Sequence, residues 1–132
     1  AASCPAIRYR GGLDRADVVA HLKRCRALVV PSLWYEGLPT VILEAFATGT
    51  PVVCSDQQNL NRIVTDRRTG RLFKTGSAAS LAETLQTFSP GEAAGYGRAG
   101  YAQFRRHYTE HAGYEQLMAV YASVRVEPTC AD

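Results

Sequence analysis

No run of this chain approaches the ~20 consecutive apolar residues that a bilayer-crossing helix needs, so a transmembrane protein is excluded. Ala1 to Ala6 carry no charged segment followed by an apolar stretch, so no secretory signal is read there and the expected compartment is the cytoplasm. The four cysteines, Cys4, Cys25, Cys54 and Cys130, form no C-x-x-C pair and no Cys/His cluster at zinc spacing. A redox motif, a zinc knuckle and a metal centre are therefore not expected. The cysteines read as reduced thiols, with Cys25 and Cys54 packed inside; the alternative is a Cys4–Cys130 bridge across the ends of the chain. A large excess of one charge is missing too: fifteen Lys+Arg against twelve Asp+Glu give +3, which falls short of a nucleic-acid footprint. No G-x-S-x-G and no paired Cys/His arrangement supplies a nucleophile.

What is present is the composition of one soluble globular domain: 132 residues, 46% hydrophobic and 20% charged. Ile7-Arg-Tyr9 is β-prone and closed by Gly11-Gly12, and Asp14 stands where a helix N-cap belongs. Val18, Val19, Leu22 and Cys25 recur at helical spacing over Arg15 to Arg24. Ala27 to Pro31 is apolar throughout, as a strand buried on both faces of a parallel sheet would be. Pro39 is placed in the first turn of a helix of about ten residues that Gly49 and Pro51 stop, and that is apolar nearly all round. Pro51 to Cys54 and Gly70 to Phe73 read as further strands. Ser77 caps a helix with Ala78, Leu81, Ala82, Leu85 and Phe88 as its apolar residues. Ser89-Pro-Gly-Glu92 has the form of a capping box opening a helix to about Tyr108, and Thr109 opens the last helix. Strands alternating with helices predict an α/β fold with a parallel sheet. The domain is expected to span residues 1–124, with 125–132 a patternless tail.

Two carboxylates stand out, Glu36 in the loop after the Ala27 strand and Glu44 in the second turn of the apolar helix. Burying Glu44 among Leu43, Ala45 and Phe46 is costly unless something hydrogen-bonds it, and a polyol ligand would do so. The helix start beside Glu36 offers unbonded amides and a partial positive charge suited to phosphate, at a strand end where open α/β sheets place ligands. A phosphate-bearing sugar satisfies all three features. The residues leave one alternative open, a solvated acid at Glu36 and a Glu44 paired with a core Arg or hydroxyl.

The run Pro31-Ser-Leu-Trp-Tyr-Glu-Gly-Leu-Pro-Thr-Val-Ile-Leu-Glu-Ala-Phe-Ala-Thr-Gly-Thr-Pro-Val-Val53 resembles the E-x7-E signature of the retaining glycosyltransferases of GT-B fold (glycosyl transferases group 1), to which sucrose synthases and many bacterial mannosyl- and glucosyltransferases belong. Looser similarity runs from Ile7 to Tyr121. The resemblance implies a partial Rossmann-like parallel sheet with flanking helices, as in the C-terminal domain of that fold. It implies that Glu44 holds the ribose of a nucleotide-diphosphate sugar and that Glu36, the one catalytic assignment, contacts the transferred sugar. The donor site would be completed by Gly37, by the amides of Leu38, Thr40 and Val41, and by the Thr40 hydroxyl. Members need no metal or other cofactor in the active site. Where many members carry Gly-Gly and then Pro-Glu, this chain has Gln58-Asn59 and then Asn61-Arg62.

The resemblance further implies that the first two strands of the domain and the N-terminal acceptor-binding domain lie outside this sequence, so that residues 1–132 alone are expected to be inactive. The acceptor would be a glycan or a lipid-linked sugar. Two other functions remain open: a non-catalytic binding module derived from the fold, and a nucleotide-sugar epimerase of similar fold. Gly95-Tyr-Gly97-Arg-Ala-Gly100 matches G-x-G-x-x-G but lies within a helical stretch, which argues against a dinucleotide site. Arg62, Arg67, Arg68, Arg71 and Lys74 read as a solvated basic face, the alternative being peripheral contact with an anionic membrane at its inner face.

Overall fold

The computed structural model describes residues 6–35 and 37–124. Glu36, Cys4, Cys130 and the 125–132 tail lie outside the described residues. The order is α1 (Arg15–Leu22), β1 (Leu28–Val30), α2 (Thr40–Ala47), β2 (Val52–Ser55), β3 (Gly70–Phe73), α3 (Ala78–Thr87), α4 (Pro90–His107) and α5 (Glu110–Ser123). The strands form a parallel sheet in the order β1-β2-β3, with Val30 opposite Cys54 and Cys54 opposite Leu72. This is the expected Rossmann-like α/β arrangement. No helix among the described residues is long and apolar enough to cross a membrane.

The centre of the sheet is β2, every residue of which is buried, as a strand covered on both faces must be. Val52 and Cys54 join a core with Leu22, Val30, Ile42, Ala45 and Phe46, closed by Leu60, Ile63 and Val64 from the β2–β3 connection. Helix α2 turns Ile42, Ala45 and Phe46 inward and ends in a Schellman motif: Gly49, at φ +72, donates to the Phe46 carbonyl at 3.0 Å, and Thr50 donates to that of Ala45 at 2.8 Å. Thr50 is buried, and its hydroxyl donates to the Leu22 carbonyl at 2.8 Å, tying the end of α2 to the end of α1.

Close approach explains two of the three glycines of the G-x-G-x-x-G run, Gly97 and Gly100. They lie inside α4, where a Cβ on Gly97 would strike the Gly49 carbonyl oxygen and one on Gly100 would come within 2.7 Å of the Phe46 ring. The spacing therefore serves helix packing. The capping box forms as expected: the Ser89 amide donates to Glu92 Oε2 at 3.0 Å, and the Glu92 amide donates to Ser89 Oγ at 3.2 Å. Hydrogen bonds from Ser89 hold the Glu92 carboxyl below its ordinary range, so the carboxylate half of this cap is present at neutral pH and weakens as acid protonates Glu92. The bond from the Glu92 amide to Ser89 Oγ does not depend on that charge.

Several sequence expectations are corrected. Ile7 to Tyr9 form no strand, and Ile7 and Tyr9 are 78% and 94% exposed. A β-prone tripeptide becomes a strand only beside a partner ladder, and among the described residues none borders it. The Ala27–Pro31 strand shrinks to three residues with Val29 exposed, because β1 is an outer strand of this sheet and not a central one. Helix α1 ends at Leu22, so Cys25 is exposed while Cys54 is buried as expected. Pro39 is the N-cap of α2 and not a residue of its first turn. The inward residues of α3 are Thr84, with Leu81 partly buried, followed by Phe88 just past its end; Ala78, Ala82 and Leu85 face outward. Thr84 tolerates burial because its hydroxyl donates to the Ser80 carbonyl at 2.8 Å.

Gly97→Ala is expected to lower stability by about 1–3 kcal/mol, since the added methyl must push α4 off α2. Gly95, on the same helix with open space at its Cβ position, should instead gain about 0.8–1 kcal/mol on replacement by Ala. Urea unfolding of the two variants checks the opposite signs.

Candidate functional site

Parallel pairing brings the carboxyl ends of all three strands to one edge of the sheet, and their loops are laced together there. The Gln57 side-chain amide donates to the Ser32 carbonyl, joining the loops after β2 and β1. The Asp56 amide donates to the Phe73 carbonyl at 2.8 Å, and the Thr75 hydroxyl donates to the Asp56 carbonyl at 2.9 Å, joining the loops after β2 and β3. These bonds join the three strand-end loops to one another.

Helix α2 starts without a side-chain cap and without an acidic residue in its first turn. Its first internal bond runs from the Ile42 amide to the Pro39 carbonyl at 3.0 Å, so the amides of Thr40 and Val41 precede the hydrogen-bonded ladder. Thr40 is exposed and Val41 half-buried, while Pro39 is buried and anchors the turn. Glu44 lies one helical turn beyond Thr40 on the same face. Its side chain is 24% exposed and pairs with Arg15 Nε at 3.5 Å, across from the first residue of α1. Arg15 is 86% exposed, so this is a surface ion pair worth at most about 1 kcal/mol and readily exchanged. The core Arg or hydroxyl partner that the sequence left open for Glu44 is not what the fold supplies.

The predicted site residues thus fall into two groups. Gly37, Leu38, Thr40, Val41 and Glu44 are consecutive along the turn and first two turns of α2, with Gly37, Leu38 and Thr40 exposed. Glu36, the sixth, lies outside the described residues. The loop before it exposes Leu33, Trp34 and Tyr35, with Trp34 82% accessible.

Sequence reasoning missed the far side of this edge. Asp56, Phe73, Lys74, Thr75 and Ser80 line a cleft of about 660 Å³ that Asp66 and Leu72 complete. The signal was available in outline, since Asp56 and Lys74 each directly follow a strand. What could not be read was that the two loops meet. Among the described residues no three His, Cys, Asp or Glu side chains converge as a metal would require.

Comparison with known proteins agrees with the fold. Residues 5–102 match the family model described as "Glycosyl transferases group 1". Phosphatidyl-myo-inositol mannosyltransferase of Mycobacterium leprae is 32% identical over 120 residues, covering 89% of this chain and 32% of that protein. Glycogen synthase of Mycobacterium tuberculosis is 37% identical over 100 residues, 76% of this chain and 24% of the synthase. The chain therefore spans about a third or less of the length of these curated relatives. Among solved structures, sucrose-phosphate synthase from Thermosynechococcus elongatus superposes with a TM-score of 0.77 at 28% identity, covering 86% of this chain and 29% of that one. The Anabaena HepE protein, solved in complex with UDP-glucose, gives 0.74 at 22% identity over 83% of this chain and 31% of its own, a likeness of fold.

Cys54 lies near this edge but offers no nucleophile. Burial, together with the negative charges of Asp56 and Asp66, pushes its thiol up to about 12, so the thiolate is scarce at any physiological pH. The Cys25 thiol, also raised by desolvation, stays at the surface, its Sγ 3.3 Å from the Leu22 carbonyl. Iodoacetamide applied to the native protein at pH 8 should alkylate Cys25 and leave Cys54 untouched, as peptide mass mapping will report. Urea should expose both.

Proposed function

The chain belongs to the glycosyl transferases group 1 family, and from that premise we propose that it is the nucleotide-sugar-binding part of a retaining glycosyltransferase. The observation that carries this reading is the placement of Glu44 one turn beyond Thr40, on a helix whose first amides open at the carboxyl edge of the sheet. That edge is where open α/β sheets receive ligands.

In this reading the diphosphate of the donor faces the amides of Leu38, Thr40 and Val41 and the Thr40 hydroxyl, drawn by the positive end of α2. Gly37 leaves the approach to these amides free of a side chain. Glu44 releases its exposed Arg15 partner and accepts hydrogen bonds from the two ribose hydroxyls, a bidentate pairing that a carboxylate on a rigid helix is suited to make. Glu36, eight positions before Glu44 with seven residues between them, completes the E-x7-E pair and contacts hydroxyls of the transferred sugar.

Transfer with retention then proceeds at the front face. The bond from the anomeric carbon to the diphosphate oxygen breaks, the acceptor oxygen bonds to the same face of that carbon, and the departing phosphate takes the acceptor proton. The protein holds the acceptor oxygen and the leaving phosphate on the same face of the anomeric carbon and stabilises charge; no side-chain nucleophile is needed. Leaving-group charge develops against the α2 amides, which are held in place by the buried Pro39 before them and by the Gly49-Thr50 turn at the other end of the helix.

Residues 1–124 are read as a portion of the donor domain. In support, β1 presents an apolar flank: Leu13, Val18, Leu22, Leu28, Val29 and Val41 border a cleft of about 280 Å³ beside it. Two further strands of the domain would cover such a flank, and an N-terminal domain would bring the acceptor, a glycan or a lipid-linked sugar.

In the full-length protein, Glu44→Gln should weaken donor binding by about 1.5–3 kcal/mol, the range for hydrogen bonds to a charged group. Unchanged donor affinity in calorimetry would remove Glu44 from the ribose. Glu36→Ala should lower kcat more than it weakens binding of the bare nucleoside diphosphate, because its contact strengthens as positive charge develops on the sugar. Equal losses for nucleotide and nucleotide sugar would move Glu36 away from the transferred group. A product in which the sugar's own stereochemistry is inverted, with no transfer to an acceptor, would identify an epimerase instead.

A further inference from the structure

The basic residues of the β2–β3 connection are close in sequence but part company in the fold. Arg67, at φ +57, and Arg71 turn toward Asp66, with Nε 3.8 and 3.6 Å from its carboxylate. They border a cleft that also holds Glu83 and Glu92, so their charge is locally balanced. Lys74 faces the cleft at the strand ends with Asp56. Arg62 and Arg68 go the other way. They meet Arg106 and His107, from the last turn of α4, around a separate cleft of about 620 Å³.

That cleft differs from the others in carrying one sign of charge. No carboxylate lines it, and among the described residues none of its three guanidinium groups is ion-paired. Converging cations of one sign repel each other and focus a positive potential into the space between them. Guanidinium groups also match phosphate oxygens in a planar two-point geometry. The carbonyl end of α4 opposes an anion there with about half an elementary charge, which three full positive charges outweigh.

The walls are fixed in advance. Gln103 of α4 donates to the Ile63 carbonyl at 2.9 Å, clamping the helix to the connection. Thr69, 2% exposed, accepts from the Thr65 amide at 2.9 Å and holds the floor. Ile63 and Val64 between them are buried in the core. A ligand entering this cleft would therefore have to order the exposed arginine side chains but not the backbone that carries them. The volume is in the range of small-ligand pockets and exceeds what one phosphate needs.

We propose that the groove between α4 and the β2–β3 connection is a second anion site, distinct from the start of α2, that binds a phosphomonoester or diphosphate group through Arg62, Arg68 and Arg106. It shares no lining residue with Thr40 or Glu44, so it stands or falls independently of the donor reading. The phosphate arrives either on a soluble compound or on a phospholipid headgroup.

The test is hydrogen-exchange mass spectrometry on the full-length protein, whose local readout separates this cleft from the amides of α2. Pyrophosphate, compared with chloride at equal ionic strength, is expected to slow exchange in peptides covering residues 61–69 and 102–109. Replacing Arg62 and Arg106 together by Ala should raise the half-maximal concentration about tenfold or more, the loss of charge-assisted hydrogen bonds, while the paired Lys replacements retain part of it. Both arginines are exposed, and an unchanged urea midpoint will show that the variants fold. Protection of the same peptides by vesicles containing phosphatidic acid, whose headgroup is a phosphomonoester, but not by pyrophosphate or by phosphatidylcholine vesicles, would assign the headgroup as the source. Absence of protection in every arm, or protection that survives loss of Arg62 and Arg106, overturns the proposal.

Discussion

The contact on which this structure depends is the close crossing of α2 and α4, where two backbones approach without side chains between them at Gly49 and Gly97. Gly100 admits the Phe46 ring in the next turn. Because α4 can come this near, Phe46, Ile42 and Ala45 are sealed from solvent, and α2 is pressed onto β2 with one orientation about its own axis. That orientation is what turns Glu44 and Thr40 outward. Helix α2 is apolar around most of its circumference, and packing against its neighbours fixes which residues are sealed.

The same core sets the site at the strand ends. The end of α2 is fixed by the Gly49 turn and by Thr50 reaching the Leu22 carbonyl. Its beginning is fixed by Pro39, buried at the N-cap position and free of a donor that would need a partner. Between these anchors the helix is eight residues long, so its opening amides are carried to the carboxyl edge of β1 with little freedom. Gln57 and Thr75, neither of them near α2 in sequence, then tie the adjoining loops into one surface. A helix terminus that lacks its own side-chain cap and is anchored by a buried Pro39 is suited to a ligand that supplies the missing acceptors.

The β2–β3 connection shows how one stretch of chain can serve two surfaces. Arg67 adopts the left-handed conformation, rare for a residue with a Cβ, and the chain reverses there so that the Arg67 amide donates to the Gly70 carbonyl at 2.9 Å. Asp66 accepts from the Leu72 amide at 2.9 Å and gathers Arg67 and Arg71 on its side. Arg62 and Arg68 are left on the other. A basic run that reads as one solvated face is thereby divided among three clefts with different charge balance.

Periodicity and caps were enough to place most elements. Asp14, Ser77, Ser89 and Thr109 cap helices where their side chains can reach an amide three residues on, which is a local interaction needing no tertiary partner. The buried strands at Val52 and Gly70, and the stop at Gly49, follow from equally local chemistry. The carboxylate at Glu44 was legible because its surroundings in sequence are so apolar. Tertiary structure alone decided the rest. Whether Ile7 to Tyr9 form a strand depends on a neighbouring ladder, and whether Cys25 is buried depends on where α1 stops. The inward face of α3 follows Thr84 because a hydroxyl satisfied within its own helix can be buried, against the apolar count. The partner of Glu44, the meeting of Asp56 with Lys74, and the gathering of Arg62 with Arg106 join residues far apart in the chain. Such pairings are fixed by the packing of whole elements, and local sequence carries no record of them.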